Sequence, residues 1–113
     1  MQLKVVHIKS KGSDDEFEQL GQPKVFMVDR KVDTYATLKQ MAMHDIFGKD
    51  SGVNPELFRL RAFNVQFQIM MDTYEGREDL TLELLKIYPM KTLALEERSS
   101  VDEPFEAYDP TKM

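Results

Sequence analysis

The sequence predicts an α+β domain, a mixed sheet crossed on one face by one main helix. Three observations predict it. Leu3 and Val5 alternate with Gln2 and Lys4, and Leu60 and Ala62 alternate with Arg59 and Arg61, which is the period of a half-buried strand. Tyr35, Leu38, Ala42 and Ile46 recur at i, i+3, i+7 and i+11, which is the stripe of a helix. Runs of strands stand on both sides of that single helix, an order that argues α+β rather than a sheet interleaved with many helices.

The elements follow in chain order. A first strand covers Gln2 to Ile8. Val6 blurs its alternation, so the direction of His7 stays open. From Ser10 to Gln22 the glycines and the Asp14-Asp15-Glu16 cluster predict a long polar loop, pinned to the body by Phe17 and Leu20. Pro23 suits the edge of the next strand, Lys24 to Asp29, because it cannot donate inside a ladder. Phe26 and Val28 face one side of that strand, and Val25 and Met27 the other.

Asp33 or Thr34 caps the helix. No Glu or Gln stands three residues beyond Thr34, so no capping box is expected. Met41 lies beside the helical stripe, whereas Lys39, Gln40 and Met43 lie off it. Gly48 ends the helix. Phe58 to Asn64 is the next strand. Val65 to Met71 is apolar at alternate positions and predicts a further strand closing a hairpin. Glu75 to Glu78 is a turn, Leu82 to Lys86 a short helical turn, and Thr92 to Arg98 the closing strand. Residues 99–113, with Pro104 and Pro110, hold too few apolar residues for another element and are expected to be a linker or tail beyond a domain at 1–98.

Composition excludes several function classes. The chain has 113 residues, which suits one domain. No apolar run nears the roughly 20 residues of a membrane span, and the N-terminus lacks a secretory pattern. Cysteine is absent, which removes disulfides, thiolate metal sites and cysteine nucleophiles and fits a reducing compartment. A net charge of −5 argues against nucleic-acid binding. The acidic runs Asp14-Asp15-Glu16, Glu96-Glu97 and Asp102-Glu103 read as solvated loops. His7 and His44 stand far apart and outside any metal-ligand spacing. No phosphate loop, nucleophile elbow or His-Glu-x-x-His is present. No catalytic residue, metal or cofactor is therefore expected.

Two stretches carry a family resemblance. Gly52-Val53-Asn54-Pro55-Glu56 leads from the helix into Phe58-Arg59-Leu60. Asp79-Leu80-Thr81-Leu82 is followed by Ile87, and then by Lys91-Thr92-Leu93-Ala94-Leu95-Glu96 with leucines two apart. Read in that order behind a helix, they resemble the second half of ubiquitin. The similarity runs from about Val25 to Arg98. The longer first loop and the insert from Val65 to Arg77 resemble the ubiquitin-like modules built into large ubiquitin-specific proteases. So does the tail Glu103-Pro104-Phe105-Glu106-Ala107-Tyr108. The resemblance implies a β-grasp (ubiquitin-like) fold with an extended first loop and an inserted hairpin-like segment.

Three departures from ubiquitin bear on function. No Gly-Gly follows the last strand, where Glu97-Arg98-Ser99-Ser100 stands, so conjugation as a modifier is not implied. The positions of ubiquitin's apolar recognition patch are taken here by Arg61 and Glu96, expected as an exposed cross-strand ion pair worth about 0.2–1 kcal/mol. The insert is apolar at Val65, Phe67, Ile69, Met70, Met71 and Tyr74. Two readings apply to it: a hairpin extending the core, or a ridge that docks a partner, which adaptable methionine beside aromatics favours. Met70 and Met71 are consecutive, so on a strand one of them should face away from the core.

The resemblance implies a non-catalytic module of a deubiquitinase, acting through a protein partner or the parent protease's own catalytic domain. A monomer is expected, without nucleic acid or membrane, in the cytoplasm and also the nucleus. The candidate contact residues are Arg61, Phe67, Ile69, Met70, Met71, Tyr74 and Glu96. The alternative is a Ras-association-like β-grasp adaptor that adds its second strand to a small GTPase, with Lys24, Arg30 and Lys31 as the compatible basic residues.

Overall fold

The computed structural model describes residues 1–13, 16–49 and 52–98, and for 10–13 and 16 only the backbone. The expected tail at 99–113 and the Asp14-Asp15 pair lie outside the described residues. The elements are β1 (Gln2–Ser13), β2 (Glu16–Gln19), β3 (Lys24–Met27), α1 (Tyr35–Phe47), β4 (Phe58–Asn64), β5 (Ile69–Met70) and β6 (Thr92–Glu97). A single-turn 3-10 helix, Pro55–Leu57, precedes β4. Among the described residues the architecture is α+β, a mixed, curled six-stranded sheet with one α-helix.

Five strands lie in the order β2-β1-β6-β4-β5. The central pair β1–β6 is parallel, with Val5 beside Leu93 and His7 beside Leu95. Every other pairing is antiparallel. Two strands share the far edge of β1: β3 pairs with Gln2 to Val5, and β2 with Ile8 to Ser13. This corrects the expected polar loop. β1 runs on to Ser13 and folds back as β2, although Glu16-Phe17-Glu18-Gln19 carries almost no apolar signal. Main-chain pairing decides that segment, not hydrophobic period. The extension has a bulge-like shift of register between Ser10 and Ser13.

Thr34 is the N-cap of α1, and its Oγ1 accepts from the Thr37 N–H at 3.3 Å. Thr37 Oγ1 in turn accepts from the Thr34 N–H at 2.7 Å. A capping box is therefore present, with a threonine hydroxyl doing what Glu or Gln usually does. Gly48 closes the helix at φ +88°, where a side chain would be strained, and its N–H reaches the His44 carbonyl at 2.9 Å.

The helix packs on one face of the sheet. Leu3, Val5, Leu60, Leu93 and Leu95 meet Tyr35, Leu38 and Ala42 there. Met43, placed off the stripe by spacing, is buried as well, so the apolar face of α1 is wider than a single i, i+3, i+7 line. His7 turns toward this side, with its ring edge-on to Phe47 and Nε2 2.8 Å from Glu97 Oε1. A turn containing Leu82, Leu85 and Ile87, all buried, closes the core against the helix N-terminus. There Thr34 bridges Thr81, and the Leu82 N–H donates to the Asp33 carbonyl at 2.9 Å.

The opposite face of the sheet is not left to water. Val6, Ile8, Phe63, Met70 and Ala94 form a second buried cluster, with Phe17 of β2 packed on it. The Phe17 and Phe63 rings meet edge to face at 5.7 Å. Phe17 thus does pin the first hairpin, whereas Leu20 is exposed. Among the described residues no helix is long and apolar enough to cross a membrane.

Candidate functional site

The insert after β4 is built by a hairpin. Phe63 pairs with Met70 and Asn64 with Ile69, which leaves residues 65–68 as a four-residue turn. Asn64 Oδ1 accepts from the Phe67 N–H at 3.0 Å, and Gln68 Nε2 donates to the Val65 carbonyl at 2.7 Å. Gln68 sits at φ +52°, the left-handed conformation that lets so short a turn close. These ties hold two apolar side chains outward, Val65 at 55% and Phe67 at 70% exposure.

Below the tip the hairpin turns into scaffold. The Ala62 N–H donates to the Asp72 carbonyl and the Met71 N–H to the Ala62 carbonyl, so Met71 and Asp72 together stand opposite Ala62, as in a bulge. Met70 and Met71 point to opposite faces, as consecutive strand residues must. Because both faces are covered, neither is free: Met70 is fully buried in the outer cluster, and Met71 packs on the helix-side core. Tyr74 is also core, with its ring edge-on to Tyr35 at 6.2 Å. Burial pushes both phenols up to about 12. The Tyr35 hydroxyl accepts from the Leu60 N–H at 2.8 Å, so the helix satisfies an amide of β4.

Asp72 anchors the base of the insert. Arg77 Nη2 donates to both of its carboxylate oxygens, at 2.8 and 2.9 Å, and the Tyr74 N–H donates to Oδ1 at 3.1 Å. Partial burial raises its pKa. The Arg77 hydrogen bond and the backbone amides outweigh that and hold it below the usual carboxylate value.

The Arg61–Glu96 pair is not exposed, contrary to expectation. Their side chains are 0% and 2% accessible. Arg59 stands opposite Glu96 in the ladder and Arg61 opposite Ala94, so Glu96 lies diagonal to Arg61. Arg59 Nε donates to Glu96 Oε1, and Arg61 Nη1 lies 3.4 Å from Oε2. Arg61 Nε donates to the Met71 carbonyl at 2.9 Å, tying the sheet to the insert. Alternation along β4 puts these residues on the outer face correctly. It carries no sign that this face is covered.

Of the seven candidate contact residues, the structure brings Phe67 to the surface and leaves Ile69 and Met71 half-buried. It buries Met70, Tyr74, Arg61 and Glu96. Val65 joins Phe67 at the tip. Of the basic residues named for the alternative reading, Lys24 is paired with Asp45 at 3.0 Å and the Arg30 guanidinium lies over the Tyr88 ring at 5.5 Å.

A separate groove of about 600 Å³ lies along α1, lined by Tyr35, Lys39, Met43, His44, Val53 and Glu78 among others. Burial pushes the Lys39 ammonium below its ordinary range, with Glu56 and Glu78 pulling the other way, and Nζ donates to the Pro55 carbonyl at 2.8 Å. No group of three or more His, Asp or Glu among the described residues is placed to hold a metal ion.

The arrangement with the most specific geometry is thus an apolar hairpin tip braced by a buried ionic cluster, which suits protein contact. No protein-family model matches the chain, and no curated protein matches it.

Proposed function

We propose that this chain is a ubiquitin-like module with a β-grasp fold from a ubiquitin-specific protease, itself without catalytic residues. It works by protein contact through the tip of the β4–β5 hairpin. The observation that carries the contact reading is Phe67, a large apolar side chain held in water by a turn with its own hydrogen bonds. Burying such a side chain in a partner is worth about 1.5–3 kcal/mol. The central parallel pair, the helix across one face, and Leu82 and Ile87 buried at the corner that follows the insert support the fold reading. The deubiquitinase assignment rests on the ordered motifs from Gly52 to Arg98 and on the insert.

In this reading the partner is the parent protease's catalytic domain or a protein delivered to it, in the cytoplasm and nucleus. The module acts as a monomer, without cofactor, in deubiquitination and the wider ubiquitin conjugation pathway. The test is ubiquitin-substrate turnover by the protease that carries this segment, measured with the segment intact, deleted, or bearing Phe67→Ser. Deletion and Phe67→Ser should both change kcat/KM, by about fivefold or more if the tip couples to the catalytic domain. Unchanged turnover in both contradicts the regulatory role.

A further inference from the structure

We infer that the groove along α1 seats this chain's own residues 99–113, with Phe105 and Tyr108 as the apolar anchors. The inference starts from where the chain leaves the sheet. Beyond β6 the Arg98 N–H donates to the Leu57 carbonyl at 2.9 Å. The Arg98 Nε and Nη2 donate to the Glu56 carbonyl at 3.1 and 2.7 Å. The neighbouring Pro55 carbonyl accepts from the Lys39 ammonium at 2.8 Å, and Pro55 and Lys39 both line the groove. The described chain therefore ends beside the groove wall. The 13 residues of α1 rise about 18 Å. Phe105 stands seven positions beyond Arg98, a reach of up to about 23 Å. The whole groove is thus within reach without any movement of the sheet.

The chemistry of groove and segment matches. A volume of about 600 Å³ falls within the roughly 300–1,000 Å³ of ligand-sized clefts. Tyr35 and Met43, both buried, and half-buried Val53 give it an apolar lining. Lys39 and Lys49 supply positive charge along it. The carboxylate of Glu78, which also lines it, accepts from the Gly76 N–H at 3.3 Å. Burial disfavours the Lys39 charge, so a further carboxylate beside it is favourable. Residues 99–113 carry Asp102, Glu103, Glu106 and Asp109 against Lys112 alone. Phe105 and Tyr108 are three apart, as are Glu106 and Asp109, so one helical turn presents the aromatics on one side and the carboxylates on the next. Pro104 suits the first position of such a turn and Pro110 its end. A separate chain could offer the same groups, but the tether supplies them at an effective concentration on the order of millimolar. The hairpin tip lies at the other end of β4 from Leu57, so this seat is independent of the contact proposed for Phe67.

The test uses the full 113-residue chain with Thr111→Cys carrying a nitroxide, a unique site because the chain has no cysteine. Amide relaxation is read on isotope-labelled protein. The Lys39, Met43 and His44 amides should broaden strongly, and those of Val65 and Phe67 should not. Phe105→Ser with Tyr108→Ser should abolish that broadening and leave the core signals in place. Lys39→Gln with Lys49→Gln should weaken it at least about twofold; the aromatic variants change no core residue and keep the test decisive if the lysine variants do not fold. Uniform broadening, broadening confined to another face, or broadening unchanged by the aromatic variants overturns the inference. Broadening in a mixture of nitroxide-bearing unlabelled chain with isotope-labelled chain lacking the nitroxide assigns the groove to a second copy and overturns the choice of occupant.

Discussion

Arg61 and Glu96 meet inside the protein, on neighbouring strands, with Nη1 3.4 Å from Oε2 and almost no access to solvent. In a ubiquitin-like domain this face of the sheet is the expected reading surface. Here it holds an ionic cluster shared with Arg59 and an apolar cluster around Phe63 and Met70. Arg61 also binds the Met71 carbonyl, so the same side chain fixes the insert to the sheet. Around this pair, that face is filled by the protein's own side chains.

Removing the shared carboxylate should be severe. Glu96→Ala takes the counter-charge from the buried guanidinium of Arg61 and from the partly buried one of Arg59, a loss of about 3–5 kcal/mol read from urea denaturation. Replacing the pair together, Arg61→Met with Glu96→Leu, should cost clearly less than the sum of the single changes, because no buried charge is then stranded at either position. Additive losses in the cycle contradict direct coupling.

A receptor for ubiquitin's apolar patch should not bind this chain. The reason is burial as well as charge: Val6, Ile8 and Ala94, apolar residues beside the pair on that face, are already covered. Titration of the labelled chain with such a receptor should leave their amide signals in place. Saturable shifts at Val6, Ile8 and Arg61 contradict the closed face.

Tyr35 links the helix to β4 through the Leu60 N–H. Tyr35→Phe keeps the ring and strands that buried amide, at a cost of about 1–3 kcal/mol. The phenol's folded pKa lies above its unfolded value, so its contribution is complete below about pH 10 and is lost as pH rises toward 12. Tyr74 behaves alike. Spectrophotometric titration should show two of the four tyrosines ionising near 12, with stability falling over that interval.

Asp72 gives the opposite sign at the acid end. Its folded pKa is depressed, so its stabilisation is present above the ordinary Asp value and is lost as pH falls through the folded one. Both side chains of the Asp72–Arg77 pair are more than two-fifths exposed, so screening keeps the effect small, about 0.2–1 kcal/mol. Asp72→Asn should flatten the stability profile below about pH 4 and leave the alkaline limb unchanged.

The sheet and helix were legible where one face of an element meets one core. Leu3 with Val5, Phe26 with Val28, and the Tyr35-Leu38-Ala42 stripe all pack as their spacing predicts. Three things were not legible. β2 is a strand by main-chain pairing and carries almost no apolar period. The capping box uses Thr37, whose hydroxyl reaches the Thr34 amide where Glu or Gln was sought. Covering of the outer face depends on residues distant in sequence, Phe17 and Met70 among them, so alternation in β4 cannot reveal that Arg61 is interior. The insert was visible as an apolar segment, but its division between tip and core depends on where the turn falls.

That division is tested most directly by one measurement, the urea unfolding midpoint of Phe67→Ser beside that of Met70→Ser. Phe67→Ser should stay within about 0.5 kcal/mol of the parent chain, since the ring contributes little to the fold. Met70→Ser should lose about 3–5 kcal/mol, since it empties a packed site and buries a hydroxyl. Collapse of both variants would make the tip part of the core, and parent-like stability in both would remove the second core on which the account rests.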